Sequence, residues 1–412
     1  MHSDNAMIDA STIIKLEQEH YAQVYQKLPV VIDRGQGALV WDVNGKEYVD
    51  CMAGYGVALV GHCNPRVVTA IKDQADRLIT CHPSLYNPIR SEMLEKLTRV
   101  SPRGLDQVFL ANSGAEANEC AIKLARKYTG RKEIIAFTGG FHGKTMGAVS
   151  VTWAKKYREP FEPLVPGVHF AKFGEIDTVK SVLGDETGAV IVEPVQGESG
   201  VHIPPDAFLP QLRELCDENG SLLIFDEIQT GLGRTGKMWA GEHWNVTPDI
   251  MTVAKGLAGG LPTGATLSTK EVMSSLKLGE HSSTFGGNPL CCAAASATID
   301  YIVENKLASR AEEVGEFFKK GLEKIASEKS VVREVRGLGL MLAFETRFEV
   351  KEIIFECLRQ GLLVLYSGRN IIRLLPPLII EPEQIERALT VLNSSLPNLA
   401  APRIIESRTG SQ

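Results

Sequence analysis

The sequence lacks any apolar run approaching the ~20 residues that a bilayer-spanning helix needs. It also lacks a secretory signal, because residues 1–19 are polar and mixed in charge. There is no excess of basic charge. The 44 Lys+Arg stand against 50 Asp+Glu for a net charge of −6, which argues against non-specific nucleic-acid binding. None of the eight cysteines form a CxxC pair, so neither a disulfide framework nor a zinc site is expected, and no other metal site is read. A reducing cytoplasm fits this cysteine usage best. No internal repeat and no low-complexity tract occur. Nucleic acid and membrane are therefore not expected partners.

What remains is an ordinary globular composition, 44% hydrophobic and 23% charged over 412 residues. That length predicts two to three domains at roughly 150 residues each. Residues 1–35 read as a helical lead-in, and 38–50 as a hairpin turning at Asn44-Gly45. From about residue 60 to 300, helical patterns alternate with short apolar runs at 107–110, 134–137, 189–192, 222–225 and 250–253. This alternation predicts an α/β domain with a mainly parallel sheet. Beyond 305 the pattern changes to helix, strand pair (332–344 and 362–375) and helix, as in a smaller α+β domain. The expected division is 1–60 (a segment and hairpin joining the small domain), 61–304 (large domain), 305–400 (small domain) and 401–412 (a frayed tail).

Several segments carry chemistry. Asn112-Ser113-Gly114-Ala115-Glu116 follows a strand and opens a helix whose stripe is Ala117, Cys120, Ala121, Leu124, Ala125 and Tyr128. Free N–H groups at such a turn suit a phosphate, although an ordinary N-cap has the same look. The run 222–225 ends in Asp226-Glu227, where ligands of open α/β sheets bind. A carboxylate there can hold a cationic ring nitrogen; Glu227 has no evident role beyond structure. Lys255 follows the run 250–253 inside a Gly-rich loop, so desolvation should make it nucleophilic. A surface lysine beside a turn is the plainer alternative. Phe141-His142-Gly143 offers an aromatic to stack on a flat cofactor, with His142 more at home in a structural role. Residues 283–289, STFGGNP, offer hydroxyls and flexible backbone. Gly231-Leu-Gly233-Arg-Thr-Gly236 matches the dinucleotide GxGxxG pattern. However, it does not sit in a tight strand-to-helix turn, 239–248 reads as loop, and the nearest following Asp, Asp249, lies ahead of the next strand. This weighs against a nicotinamide oxidoreductase.

Together, NSGAEANE at 112–119, FHG at 141–143, EPVQGESG at 193–200, DEIQTGLGRTG at 226–236, AKG at 254–256, STFGGNP at 283–289 and RGLGLM at 336–341 resemble the class III aminotransferases. That group includes acetylornithine, ornithine and 4-aminobutyrate aminotransferases. The resemblance spans about residues 30–395. It implies the fold-type I architecture, with a seven-stranded sheet, and a homodimer with shared active sites. It implies pyridoxal 5'-phosphate (PLP) as cofactor and glutamate/2-oxoglutarate as donor and acceptor. On the matching positions, Lys255 forms the Schiff base and shuttles the proton, and Asp226 pairs with the pyridine nitrogen. Gln229 bonds the ring hydroxyl and Phe141 stacks on the ring, with His142 beside it. Ser113, Gly114 and Ala115 hold the phosphate, with Thr284 reaching it from the other subunit and Ser283 on the substrate side. Arg373 clamps a carboxylate and Glu198 covers Arg373 until a dicarboxylate arrives.

The segments 152–164, 88–94 and 370–378 are most similar to the branch acting on aminoadipate or glutamate semialdehyde attached to a small acidic amino-group carrier protein, in lysine and arginine biosynthesis. Lys155, Lys156 and Arg158 form a basic run suited to an acidic carrier, or simply a solvated face. Where the biosynthetic enzymes read FHGRT, this chain has Lys144, which keeps the charge but loses the fork. Specificity is thereby open between a carrier-linked acceptor, N-acetylated semialdehyde, a catabolic ω-amine and, further off, an aminomutase of related fold.

Overall fold

The computed structural model describes residues 9–397. A seven-stranded sheet organises the centre. Its strands run Gln107–Ala111, Gly264–Ser268, Ile250–Val253, Leu222–Asp226, Thr187–Val192, Glu133–Phe137 and Val168–Ala171 in spatial order. Gly264–Ser268 pairs antiparallel with both neighbours; the pairings from Ile250–Val253 to the Val168–Ala171 edge are all parallel. The expected α/β fold with a mainly parallel sheet is what the chain forms.

The central strands are mostly apolar and almost wholly buried because both faces are covered. Alternate residues face opposite layers. Ile134, Ala136, Ala189, Ile191 and Ile224 pack with Ala121, Leu124 and Ala125 of the helix Gly114–Thr129. Ile135, Phe137, Val190, Val192, Leu223 and Phe225 pack with Phe208, Leu209 and Leu212 of the helix Phe208–Asn219. Each buried Val, Leu, Ile or Phe among them contributes about 1.5–3 kcal/mol. The Gly114–Thr129 helix starts at the Ser113 cap and stops at Gly130, whose φ of 71° suits glycine. Tyr128 departs from the expected stripe: it is exposed and bonds Glu271 at the surface.

Two further sheets lie outside this one. The first joins Ile32–Gln36, Leu39–Asp42 and Glu47–Asp50 to Leu362–Leu363. The second orders Val332–Leu338, Met341–Thr346, Ile371–Leu374 and Leu365–Ser367. The parallel pairing of Leu362 with Val49 ties the early hairpin to the late segment. The lead-in is less helical than its composition suggests. Its helix spans only Ala10–His20, and Ile32–Gln36 is an edge strand whose residues are largely exposed. The expected tail at 401–412 lies outside the described residues. Among the described residues, no helix is long and apolar enough to cross a membrane.

The segment 226–236 has a structural task. Arg234 is fully buried and donates through Nη1 to the Leu340 and Pro376 carbonyls, at 2.9 Å and 2.5 Å. The glycine pattern therefore welds the large sheet to the last third of the chain. Glu227 supports the same turn. It is 1% exposed, accepts from the Gly241 N–H at 2.9 Å and bonds the Thr230 hydroxyl. Burial pushes its carboxyl up to about 7, against the pull of those hydrogen bonds. A carboxyl raised on folding holds its proton better in the folded state. Stability from this group is therefore present at low pH and lost as pH rises from about 4.5 through about 7. Glu227→Gln should remove that component. Thermal melts should show the wild type gaining on the variant as pH falls across this window; a pH-independent difference would contradict the assignment.

Candidate active site

The site forms where the parallel strands end. Asp226 closes its strand and is 3% exposed. Its Oδ2 accepts from His142 Nδ1 and Asn118 Nδ2, both at 2.8 Å, and Oδ1 accepts from the Ile228 N–H at 3.1 Å. Asn118 is fixed in turn by the Thr252 hydroxyl, which donates to its Oδ1 at 2.8 Å. His142, 2% exposed, thus stands behind Asp226 as its orienter.

Lys255 follows the next strand. Its φ of 43° lies in the left-handed region, a strained backbone for a lysine and the sort of strain that clusters at functional sites. Burial pushes its ammonium below the usual lysine range; Asp226 and Glu193 pull it back up, and Arg373 pushes it down again. An amine so placed has a larger neutral, nucleophilic fraction near neutrality.

The other expected groups converge from separate elements. The Gln229 oxygen is buried without a hydrogen-bond partner. Gly197 makes room for it, since a Cβ there would lie 1.9 Å from Gln229 Oε1. Phe141 is partly buried, its ring edge-on to Tyr157 at 5.7 Å. Arg373, fully buried, donates to Glu198 Oε2 at 2.7 Å and to the Gly197 carbonyl at 3.1 Å. At the far end, the Gly114–Thr129 helix opens toward the site with the Gly114 and Ala115 amides in its first turn, and the Ser113 hydroxyl accepts from the Glu116 N–H at 3.2 Å. Gly114 packs so closely on Ile228 that a Cβ would sit 2.7 Å from it, which places this helix end beside Gln229. Ser283 Oγ accepts from Asn112 Nδ2 at 3.1 Å.

Two expected residues lie at the surface. Thr284 is exposed. Lys144 is also exposed, its Nζ 4.8 Å from the Tyr157 ring centre, and Lys156 lies 4.7 Å from the same ring. Asn118, Glu193, Tyr157 and Tyr55 were not singled out from sequence. Tyr55 holds a left-handed φ of 63° next to Gly54 and lies within electrostatic reach of Glu198, Arg373 and Tyr157. Asn118 had a signal, a polar residue on the buried stripe of an amphipathic helix. Glu193 had another, an acid directly after the apolar run 189–192.

The arrangement fits pyridoxal phosphate. An open helix N-terminus suits its phosphate, the unpartnered Gln229 oxygen suits its ring hydroxyl, a buried anion suits its pyridinium, and a depressed lysine suits its aldehyde.

Comparison with known proteins agrees. The sequence pattern of the family described as "Aminotransferase class-III" matches residues 20–396. The chain is 48% identical to an acetylornithine aminotransferase of Methanopyrus kandleri, over 93% of this chain and 98% of that one. It is 44% identical to a [LysW]-aminoadipate semialdehyde/glutamate semialdehyde transaminase of Sulfolobus acidocaldarius, over 91% and 96%. Among solved structures, the ornithine aminotransferase of Toxoplasma gondii superposes with a TM-score of 0.91 at 34% identity, over 95% of each chain. The acetylornithine aminotransferase of Elizabethkingia anophelis gives 0.84 at 36%, over 94% and 99%. The chain belongs to the class III aminotransferases, and it is a PLP-dependent transaminase.

Proposed function

We propose that this transaminase takes the amino group of glutamate and delivers it to the terminal aldehyde of an ornithine- or lysine-type acceptor whose α-amine is acylated. The observation that carries this reading is the Arg373–Glu198 pair at 2.7 Å beside Lys255. A guanidinium is the natural clamp for a carboxylate. One masked by a mobile acid can meet two kinds of substrate. Glutamate brings a second carboxylate to Arg373 and displaces Glu198. An ω-amino compound has no carboxylate at that end, and Glu198 then keeps Arg373 covered.

When bound, pyridoxal phosphate supplies an electron sink for the carbon bearing the amino group. The chain's residues supply the rest. Lys255 holds the cofactor and moves the proton. Asp226, oriented by His142 and Asn118, keeps the pyridine nitrogen protonated. Gln229 takes the ring hydroxyl, Phe141 covers the ring, and Ser113, Gly114 and Ala115 receive the phosphate. Ser283 lines the substrate side. Thr284 would complete the phosphate site of a second copy in a homodimer. Its exposed loop adjoins exposed Phe285, Ile79, Leu85 and Tyr86, drawn together by Arg90 bonds to the Leu85 and Gly287 carbonyls. A contiguous apolar patch of this kind favours a protein partner.

The acyl group is either acetyl or the terminus of an acidic carrier protein. The Methanopyrus relative's name supports the first and the Sulfolobus relative's name the second. Lys144 and Lys156, both over Tyr157, with exposed Lys155 nearby, place positive charge beside the Phe141 side of the site. That charge favours an acidic partner or an acidic acyl end.

The cofactor-loading role of Lys255 predicts that Lys255→Ala, reduced with borohydride after incubation with PLP, carries no covalent label, while the wild type does. For the wild-type apoenzyme, the loading rate should rise with pH through a midpoint below the usual lysine range. A labelled alanine variant would remove Lys255 from its role. For the acceptor, glutamate-treated enzyme should be offered N-acetylglutamate semialdehyde and carrier-linked semialdehydes separately, following recovery of the cofactor's absorbance. Recovery with either acylated acceptor, at least tenfold faster than with free glutamate semialdehyde or succinate semialdehyde, is expected. Preference for a free aldehyde would overturn the reading, and the faster of the two acylated acceptors identifies the acyl group.

A further inference from the structure

Glu193 has no part in the roles above, yet its carboxylate holds two of the site's walls. It directly follows the strand Thr187–Val192 and is 6% exposed. Its Oε1 accepts from the Phe141 N–H at 2.9 Å, and its Oε2 accepts from the Gly197 N–H at 3.0 Å. The first loop carries the aromatic that covers the ring. The second carries Glu198, and its Gly197 carbonyl accepts from Arg373 Nη1 at 3.1 Å. One buried carboxylate therefore fixes the ring-covering wall and the acid half of the Arg373 gate with respect to each other.

We propose that Glu193 is a positioning residue that holds the gate in its covered state and so sets the preference between the two half-reactions. The inference rests on the proposed roles of Glu198 and Arg373. Its physical basis is acceptor count. A carboxylate offers acceptor oxygens at both ends and grips both amides. A glutamine has the same shape but offers one oxygen and one NH2 group, and the NH2 would face an amide N–H, donor against donor. Glu193→Gln must therefore release either Phe141 or Gly197. The fold has a second tie between the same loops, because Gln196 Nε2 donates to the Thr138 carbonyl at 2.8 Å. The substitution loosens the loops and leaves them attached.

Release on the Gly197 side loosens Glu198 and uncovers Arg373. Glutamate tolerates this, because it displaces Glu198 in any case. The ω-amino half-reaction requires the cover. Glu193→Gln should therefore lower kcat/KM for the ω-amino half-reaction at least tenfold more than for the glutamate half-reaction. Glu193→Asp keeps the charge but is one methylene too short to span both amides, and should shift the ratio the same way. A crystal structure of the cofactor-free glutamine variant should show the Gly197 amide beyond hydrogen-bond distance of residue 193; release of the Phe141 amide alone would overturn the proposal. An equal fall in both half-reactions, or an unchanged ratio in both variants, would overturn the role of Glu193 while leaving the proposed function standing. A wild-type enzyme that accepts no amino group from glutamate would instead sink the proposed function itself.

Discussion

A negative charge at 3% exposure persists only where the surroundings replace the water it has lost. Asp226 has that replacement: an imidazole N–H, an amide NH2 and a backbone N–H, each within 3.1 Å. The rest of the site depends on this anion. It fixes a cation-holding position at the carboxyl end of the sheet and pulls on the ammonium of Lys255 across one strand spacing. It also makes His142 and Asn118 necessary, and Asn118 is held in place by the Thr252 hydroxyl. The chain from Thr252 to Asn118 to Asp226 runs through the sheet and the Gly114–Thr129 helix, so fold and site are one construction. Lys255 is the complement: burial makes its charged form costly, while Asp226 and Glu193 keep that cost from becoming prohibitive.

The second constraint is that one pocket must serve two substrates of different charge. A permanent bare arginine would suit glutamate alone, and a permanent ion pair would suit neither reaction with glutamate. In the proposed function the Arg373–Glu198 pair meets this demand: Arg373 is fully buried, while Glu198 keeps a side-chain exposure of 36% on the solvent side of the pair. Arg373 sits on the strand Ile371–Leu374, and Glu198 on the loop after Thr187–Val192.

Much of this was legible in sequence for a physical reason. Central strands buried on both faces are mainly apolar runs, and Asp226 and Lys255 announce themselves as the first charged residues at the ends of two of them. The strands that escaped notice lack that signature. Gly264–Ser268 is built from small residues, and Ile32–Gln36 is an exposed edge with polar side chains. Of the residues missed at the site, Asn118 and Tyr55 face partners far along the chain, whereas Tyr157 meets Phe141 and Lys144 within one segment. The helical stripe marks Asn118 as a buried polar residue, but its partner Asp226 lies 108 residues away, a pairing no local pattern encodes. The tie between the early hairpin and the strand Leu362–Leu363 is equally non-local.

The claim that all else rests on is that Asp226 holds the cofactor's ring nitrogen in its protonated form. Loading the apoenzyme with PLP labelled with nitrogen-15 in the ring and recording the nitrogen chemical shift reads this directly. The account predicts a pyridinium shift in the wild type at neutral pH and a neutral-pyridine shift in Asp226→Asn. A neutral-pyridine shift in the wild type, or a pyridinium that survives the substitution, would contradict it.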